Sequence, residues 1–479
     1  MDTVLVTTNA VALVGIEAHV IRVETHVGPG MVVFNVVGLP DTSVRESKDR
    51  VRAALQSCAV EWFAKRVTVN LSPADLPKAG AVFDLAIAMG LLGAARAGYR
   101  QVVVAAQNYA EAALVPGVQV RGCTHLSQVV ECCRNWDESA AAYAQPPKPG
   151  KPLPGATEAG VDLGDIRGQH EAMESLVVTA AGGHHLLMIG EPGAGKTMLA
   201  RALPSILPPL DDDQAIETTA VHSLAGTLEP GQGLMRIPPF QMPHHSATLP
   251  AIIGGGSQGL TPGAASLAHH GVLFLDEATE FNAHVLDGMR QPLESGYVRV
   301  HRARYRAQLP ARFQLVLATN PCPCGNALSK GKTCKCSSIQ LRRYMGRLSG
   351  PLMDRVDVHV TMHSPSRADL ARPAPYTSAT AREKVRQARA RAAHRWREYP
   401  WSLNAHVPAR QLRRSGSLNA RACEYLDDAV GRGVLSMRGA DRVLRLALTL
   451  ADMEGRAQVD LADIGKALQY RNGAHYGNY

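Results

Sequence analysis

"HLLMIGEPGAGKTMLARALPSIL" (residues 185–207) decides how this chain folds. The apolar run HLLMIG has the length of a buried strand, and MLARALPSIL beyond it has helical spacing. Between them GEPGAGKT, Gly190 to Thr197, fits G-x-x-x-x-G-K-[ST]. In such a loop Gly190, Pro192, Gly193 and Gly195 shape a turn whose backbone N–H groups point inward around phosphates. The helix N-terminus adds its positive dipole end, Lys196 reaches the outer phosphates and Thr197 ligates Mg²⁺. With strand and helix both in register, a chance glycine-rich turn is the poorer reading.

About eighty residues further on, GVLFLDE ends a buried-strand run in Asp276 and Glu277. Ligands bind at the carboxyl ends of strands in open α/β sheets, so Asp276 is placed to hold a metal and Glu277 to polarise an attacking water. An apolar run ending in Asp-Glu is common by itself; at this distance from a phosphate loop it points to ATP hydrolysis rather than nucleotide binding alone. A third such strand, FQLVLATN (313–320), ends in Asn320, either a loop cap or the residue that positions the lytic water. In MGRLSGPLMDRVD (345–357), Arg355 follows a helix breaker. It is a surface arginine or a finger acting on a neighbouring subunit's γ-phosphate, which requires an oligomer.

These strands alternate with helices, the pattern of a parallel sheet with crossovers, over about 162–363; from 364 to 479 helices separated by short polar breaks follow. The stretch AQPPKPGKPLPGATEAG (144–160) reads as an extended linker, giving a division at 141–161 from an α+β domain over 1–140. In that domain HVIRVET, MVVFNVV and RVTVNL read as strands and DTSVRESKDRVRAAL (41–55) as a helix with Asp/Thr/Ser at its start. The chain has 479 residues, 46% of them hydrophobic, enough for several cores. The opening MDTVLVTTNA lacks a basic segment and a cleavage site, and no run of about 18 apolar residues suggests a membrane span. A cytoplasmic protein with reduced or metal-bound cysteines is expected. The formal charge of +9 favours polyanionic partners.

Four of the nine cysteines fall in NPCPCGNALSKGKTCKC (320–336): Cys322, Cys324, Cys334 and Cys336, spaced C-x-C-x9-C-x-C. Four thiolates in two short pairs suit a closed, structural Zn²⁺ site; bystander thiols or a redox device are the alternatives. In YVRVHRARYR (297–306), strand alternation puts Arg302, Arg304 and Arg306 on one face, as DNA-phosphate contacts or as a solvated edge. The segment 381–397 carries seven Lys/Arg against one Glu and reads as a solvated helix face, with DNA contact second. His244 and His245 in PFQMPHH are read as substrate or interface contacts rather than ligands of one ion.

With the phosphate loop, "SLAHHGVLFLDEATEF", "RQPLESGYVRVHRARYRAQLPARFQLVLATNPCPCG" and "LSMRGADRVLRLALTLADMEG", the chain resembles the YifB/ComM family of magnesium chelatase-like AAA+ ATPases over nearly its whole length. The resemblance implies an AAA+ P-loop core with a C-terminal helical lid, with Asn320 as sensor 1, Arg355 as arginine finger and Arg438, or alternatively Arg442, as sensor 2. It places 297–306 where MCM-like rings carry a channel hairpin. The N-terminal domain is similar to the proteolytic domain of Lon, a ribosomal-type fold, but Val82 stands where Lon has its serine, and no lysine occurs between Lys78 and Lys148. Without hydroxyl or amine, peptide hydrolysis has no chemical basis there, and Ser72 has no evident partner. The family role implied is a hexameric ATP-driven DNA helicase, acting on single-stranded, duplex or branched DNA to promote branch migration in natural transformation. The alternative is a chelatase-type motor that remodels a protein for metal insertion into a tetrapyrrole.

Overall fold

The computed structural model describes residues 4–14, 17–28, 31, 33–37, 66–72, 101–106, 109–113, 117–124, 128, 161–228, 233–255, 261–301, 306–329 and 333–472. The chain forms two compact units, Met1–Leu153 with Ala215–Met235 and Arg299–Leu309, and Pro154–Gln214 with Arg236–Val298 and Pro310–Tyr479.

In the first unit, β1 (Val4–Val14), β2 (Glu17–Gly28), β3 (Phe34–Val37) and β4 (Arg66–Ser72) form a sheet in the order β1-β2-β4-β3. β1 and β2 pair antiparallel, with Val4 opposite Val27 and Val14 opposite Glu17, and β3 runs parallel to β4. β5 (Gln101–Ala105) and β6 (Gln119–Cys123) pair in parallel, and Val104, Ala112 and Val120 cluster beneath them. Ser72 ends β4, whereas the helix expected over 41–55 and the position of Val82 lie outside the described residues.

The second unit is built on α1 (His170–Gly182), β7 (Leu186–Gly190), α2 (Lys196–Ile206), β8 (Phe240–Gln241), α3 (Leu249–Ile253) and β9 (Val272–Leu275). Next in the chain are β10 (Tyr297–His301) and β11 (Arg306–Pro310), which fall mostly in the Arg299–Leu309 stretch of the first unit, and the second unit continues with β12 (Gln314–Thr319), α4 (Ser338–Met345), β13 (Val358–Met362), α5 (Ser378–Arg395), α6 (Met437–Met453) and α7 (Leu461–Asn472). Five strands make one parallel sheet in the order β13-β7-β12-β9-β8. Every residue of β7, β9 and β12 is buried, as the unbroken apolar runs require when a parallel sheet is covered on both faces. α1 carries Leu176, Val177, Ala180 and Ala181 into the same core as Phe274, Val316, Val360 and, from the helical region, Val385, Leu444 and Leu448.

Two expectations are corrected. The single strand read over 297–306 is two: β10 stops at His301 and β11 begins at Arg306, and the two pair with each other. A four-residue connection permits only antiparallel pairing. Arg306 is therefore on the return strand, Arg302 and Arg304 fall in 302–305, outside the described residues, and the argument for one common face does not hold. The cause is visible in the sequence: Arg-x-Arg-x-Arg alternation continues through the reversal, with no Gly, Pro, Asn or Asp to mark it.

The arginines of α5 are also not a simple solvated face. Arg382 Nε donates to Ser205 O at 2.8 Å, Arg389 Nε to Ala180 O at 2.9 Å and Arg391 Nη1 to Asp452 O at 2.7 Å. These carbonyls lie in the last turns of α2, α1 and α6, where helix carbonyls lack internal donors and the dipole favours a cation. Trp396 beyond the end of α5 is buried, with its indole donating to Asn404 Oδ1 at 3.0 Å.

Candidate functional site

The phosphate loop follows β7 without a break. Gly193 (φ +81°) and Gly195 (φ +88°) take the left-handed conformation that turns the chain into α2, for which Gly195 is the N-cap. A side chain at either position would be strained by its φ alone. Lys196 Nζ donates to Gly190 O at 2.7 Å, Glu191 O at 3.0 Å and Asn320 Oδ1 at 3.1 Å. Burial lowers its pKa, against the opposing pull of Asp276, Glu277 and Glu191. Thr197 Oγ1 donates to Asp276 Oδ2 at 2.6 Å. A hydroxyl and a carboxylate oxygen held together are hard donors of the kind Mg²⁺ takes beside phosphates. The register explains the grouping: β12 pairs with both β7 and β9, so the loops after all three open at one end of the sheet.

Glu277 sits at φ 51° and ψ 45°, rare for a side-chain-bearing residue, with its N–H donating to Asp276 Oδ1 at 3.0 Å. Its carboxylate is paired with His245, Nδ1 to Oε2 at 3.1 Å. His244 makes a ring contact with His245, centroids 4.1 Å apart, and its Nδ1 lies 2.8 Å from Ser246 Oγ. Sequence reasoning gave His245 no role at this carboxylate, because the pairing depends on β8 lying beside β9, which the sequence does not state.

The arginines are elsewhere. β13 runs parallel to β7 with Met362 opposite Gly190 and Val358 opposite Leu186. Arg355, three residues before β13, therefore lies at the other end of the sheet, beyond a strand length of roughly 13 Å at 3.3 Å per residue. Arg355 donates to Glu294 and to Pro351 O, and its Nε has no partner among the described residues. Burial and then the guanidiniums of Arg442, Arg290 and Arg438 lower its pKa. The two sensor 2 candidates separate. Arg442 is tied to Asp357 Oδ1 at 2.7 Å and Arg355 O at 3.1 Å, whereas Arg438, in the first turn of α6, is exposed. Asp357 is buried, and although burial raises its pKa, Arg442 and His184 hold it well below the usual carboxylate range.

Cys322, Cys324, Cys334 and Cys336 converge, with all four sulfurs within 4.8 Å of one another. Sγ separations are 3.3 Å for Cys322–Cys324 and 3.7 Å for both Cys324–Cys334 and Cys334–Cys322. A tetrahedron with Zn–S bonds of 2.3 Å has edges of about 3.8 Å, so the donor set fits zinc. Burial pushes the Cys322 thiol up to about 12, while the backbone N–H groups of Asn326 and Lys335 bring Cys324 down to about 6. The knuckle also touches the phosphate loop. At Gly325 (φ +77°) an added Cβ would stand 2.7 Å from Pro192 Cγ.

Comparison with known proteins gives three family matches: "Magnesium chelatase, subunit ChlI" over residues 162–370, its C-terminal counterpart over 375–471, and "Subunit ChlI of Mg-chelatase" over 23–119. Among similar proteins, an uncharacterized protein of Mycobacterium tuberculosis is 40% identical over 96% of this chain and 97% of its own length. Competence protein ComM of Haemophilus influenzae is 37% identical and YifB of Escherichia coli 36% identical, each over 96% of both chains. No helix among the described residues is long and apolar enough to cross a membrane.

Proposed function

This chain belongs to the YifB/ComM family of magnesium chelatase-like AAA+ ATPases, and from that premise we propose that it is a cytoplasmic, hexameric DNA motor that drives branch migration as incoming DNA is integrated. The family implies ATP and Mg²⁺. One observation carries the rest of the reading: Lys196, Thr197, Asp276, Glu277 and Asn320 share one end of the sheet, whereas Arg355 and Arg438 stand at the other. An arginine so far from its own phosphate loop acts on a neighbour's nucleotide, so a complete site requires a second copy. Thr197 and Asp276 hold Mg²⁺, which neutralises phosphate charge when bound. Lys196 orients the outer phosphates, Asn320 positions the water and Glu277 accepts its proton.

The four cysteines hold a structural zinc, a role supported by their sulfur separations. The domain over 1–140 keeps a Lon-like fold as a binding or assembly module, ahead of the linker at 141–161, the core at 162–363 and the lid at 364–479. Arg302 and Arg304, between β10 and β11 in the sequence, and Arg306, the first residue of β11, contact DNA phosphates whatever the sequence, and salt weakens that contact. A chelatase-type motor is the second reading, favoured by the subunit ChlI matches. Against it, a motor for tetrapyrrole metallation has no use for the cysteine knuckle.

Steady-state ATPase rates without DNA and with single strands, duplex or a four-way junction test the proposal, using Lys196→Ala as the blank. Stimulation by DNA, greatest with the junction, is expected. ATP turnover indifferent to every DNA would overturn the DNA reading.

A further inference from the structure

Between Glu294 and Asp354 the chain has eleven lysines and arginines and no acidic residue. With 42 Asp and Glu in 479 residues, a stretch of that length would ordinarily hold about five. Three of these cations stand beside the cysteine knuckle. Lys335 lies between Cys334 and Cys336, and Arg342 and Arg343 are on α4, which begins two residues after Cys336.

α4 is fixed at its start by a capping box: Ser337 Oγ accepts from the N–H of Gln340 at 3.3 Å, and Gln340 Oε1 accepts from the N–H of Ser337 at 2.8 Å. Its inward face carries Leu341, Tyr344 and, just past the helix, Leu348, of which the last two are buried. Ile339, Arg342 and Arg343, at i, i+3 and i+4, share the outward face, and all three are exposed. Lys335, Arg342 and Arg343 make no ion pair or side-chain hydrogen bond among the described residues. Arg347, one turn on, is the contrast: its guanidinium donates to Thr279 O at 2.8 Å and Glu280 Oε2 at 3.0 Å.

Like charges with no counter-charge raise the local positive potential, which a polyanion complements. The loop that precedes Lys335 adds Lys330 and Lys332 in sequence, outside the described residues, so the cations form a row suited to a polymer with regularly spaced charges. Ile339, 69% exposed, stands among them. A lone exposed isoleucine is ordinary, but one flanked by guanidiniums matches a single nucleic-acid strand, whose phosphates meet the cations while its sugars and unstacked bases meet the apolar side chain.

We propose that the outward face of α4, with Lys335, binds a single DNA strand: Lys335, Arg342 and Arg343 contact phosphates and Ile339 packs against sugar or base. The inference rests on the reading of this chain as a DNA motor and adds contacts other than Arg302, Arg304 and Arg306. It places the strand on a segment that meets the nucleotide site twice, where Gly325 lies against Pro192 and where Arg347 holds the turn Ala278–Glu280 that follows Glu277.

The test is fluorescence anisotropy of labelled oligo(dT), and of a duplex of the same length, with the full-length protein as wild type, Arg342→Gln/Arg343→Gln, Ile339→Ala and Arg432→Gln. Arg432 is already paired with Asp428 and controls for lost charge. Zinc content and affinity for a fluorescent ADP analogue report an intact fold, and sedimentation velocity without DNA reports assembly. Counterion release gives log affinity a slope of about −0.7 in log salt per phosphate contact on a single strand, so two lost contacts flatten the slope by about 1.4 and weaken binding about 60-fold at about 0.05 M salt and about 10-fold at about 0.2 M. Ile339→Ala is expected to weaken oligo(dT) binding a few-fold, equally at both salt concentrations, and Arg432→Gln to match wild type. An unchanged slope and affinity in the double variant, beside a wild type that binds, would overturn the inference and leave the DNA reading standing. Loss of self-association without DNA would do the same, by assigning the face to a neighbouring copy. Equal losses on strand and duplex, with no effect of Ile339→Ala, would overturn the assignment to a single strand. A wild type that binds neither would remove the DNA reading on which the inference stands.

Discussion

Gly325→Ala is a direct probe of whether the cysteine knuckle and the phosphate loop are mechanically joined. Two costs arise at once. An L-residue at φ +77° costs about 1–2 kcal/mol relative to glycine. The new methyl would also stand 2.7 Å from Cγ and 2.9 Å from Cδ of Pro192, well inside van der Waals contact, and relieving such overpacking typically costs about 1–3 kcal/mol. Cys322 and Cys324 are anchored by a shared zinc in our reading, so the knuckle is the stiffer side and Pro192 gives way. The ring lies between Glu191 and Gly193, so its movement disturbs the N–H groups that surround phosphates. If about 1.4–2.8 kcal/mol of the strain appears in binding, ADP affinity falls about 10- to 100-fold, at tenfold per 1.4 kcal/mol. Titration with a fluorescent ADP analogue, together with zinc content by atomic absorption, reads both sides. One zinc per chain with weakened ADP binding is expected. Unchanged ADP affinity would refute the coupling, and loss of zinc with normal affinity would show that the knuckle, not the loop, yields.

Asp357→Asn leaves Arg442 and His184 without their carboxylate in a buried setting, and breaking such a pair costs about 3–5 kcal/mol, seen as a lower thermal midpoint at neutral pH. The sign of the pH effect follows from the lowered pKa of Asp357: its stabilisation is complete above the ordinary aspartate range and is lost as pH falls through the depressed folded value, so variant and wild type converge only in strong acid. Gly465→Ala, at an exposed position inside α7 with nothing within 4 Å of the added methyl, raises stability by about 0.5–1 kcal/mol, measured by denaturant midpoint. It leaves ADP affinity unaltered and so serves as the control for Gly325→Ala.

The nucleotide end of the site was legible because each of its residues terminates an apolar run. β7, β9 and β12 are buried on both faces, so their sequences carry few polar residues until the chain emerges, and Gly190, Asp276 and Asn320 mark those points of emergence. The close cysteine spacing likewise announced their convergence. Sheet order and long-range packing left no such mark. The His245–Glu277 pair requires β8 to be the neighbour of β9, the Asp357–Arg442 pair joins residues 85 positions apart, and the contact at Gly325 depends on which loop passes above it. The reversal between β10 and β11 was hidden for a local reason, since charged residues alternate through it. The arginines of α5 were misassigned because a guanidinium reaching a helix carbonyl looks, in sequence, like one reaching water.

The parallel register of β7 and β13 makes this molecule directional. Its phosphate loop and its exposed Arg438 stand at opposite ends of one sheet, so in the assembly we propose, copies that complete one another's sites do so head to tail. Contacts of that kind have no twofold axis: they either close into a ring or continue as an open helix. A closed ring has as many complete sites as copies, whereas an open arc has one fewer, with a bare loop at one end and an idle arginine at the other. The last subunit to join such an arc therefore completes two sites at once, so closure changes catalytic capacity as well as shape.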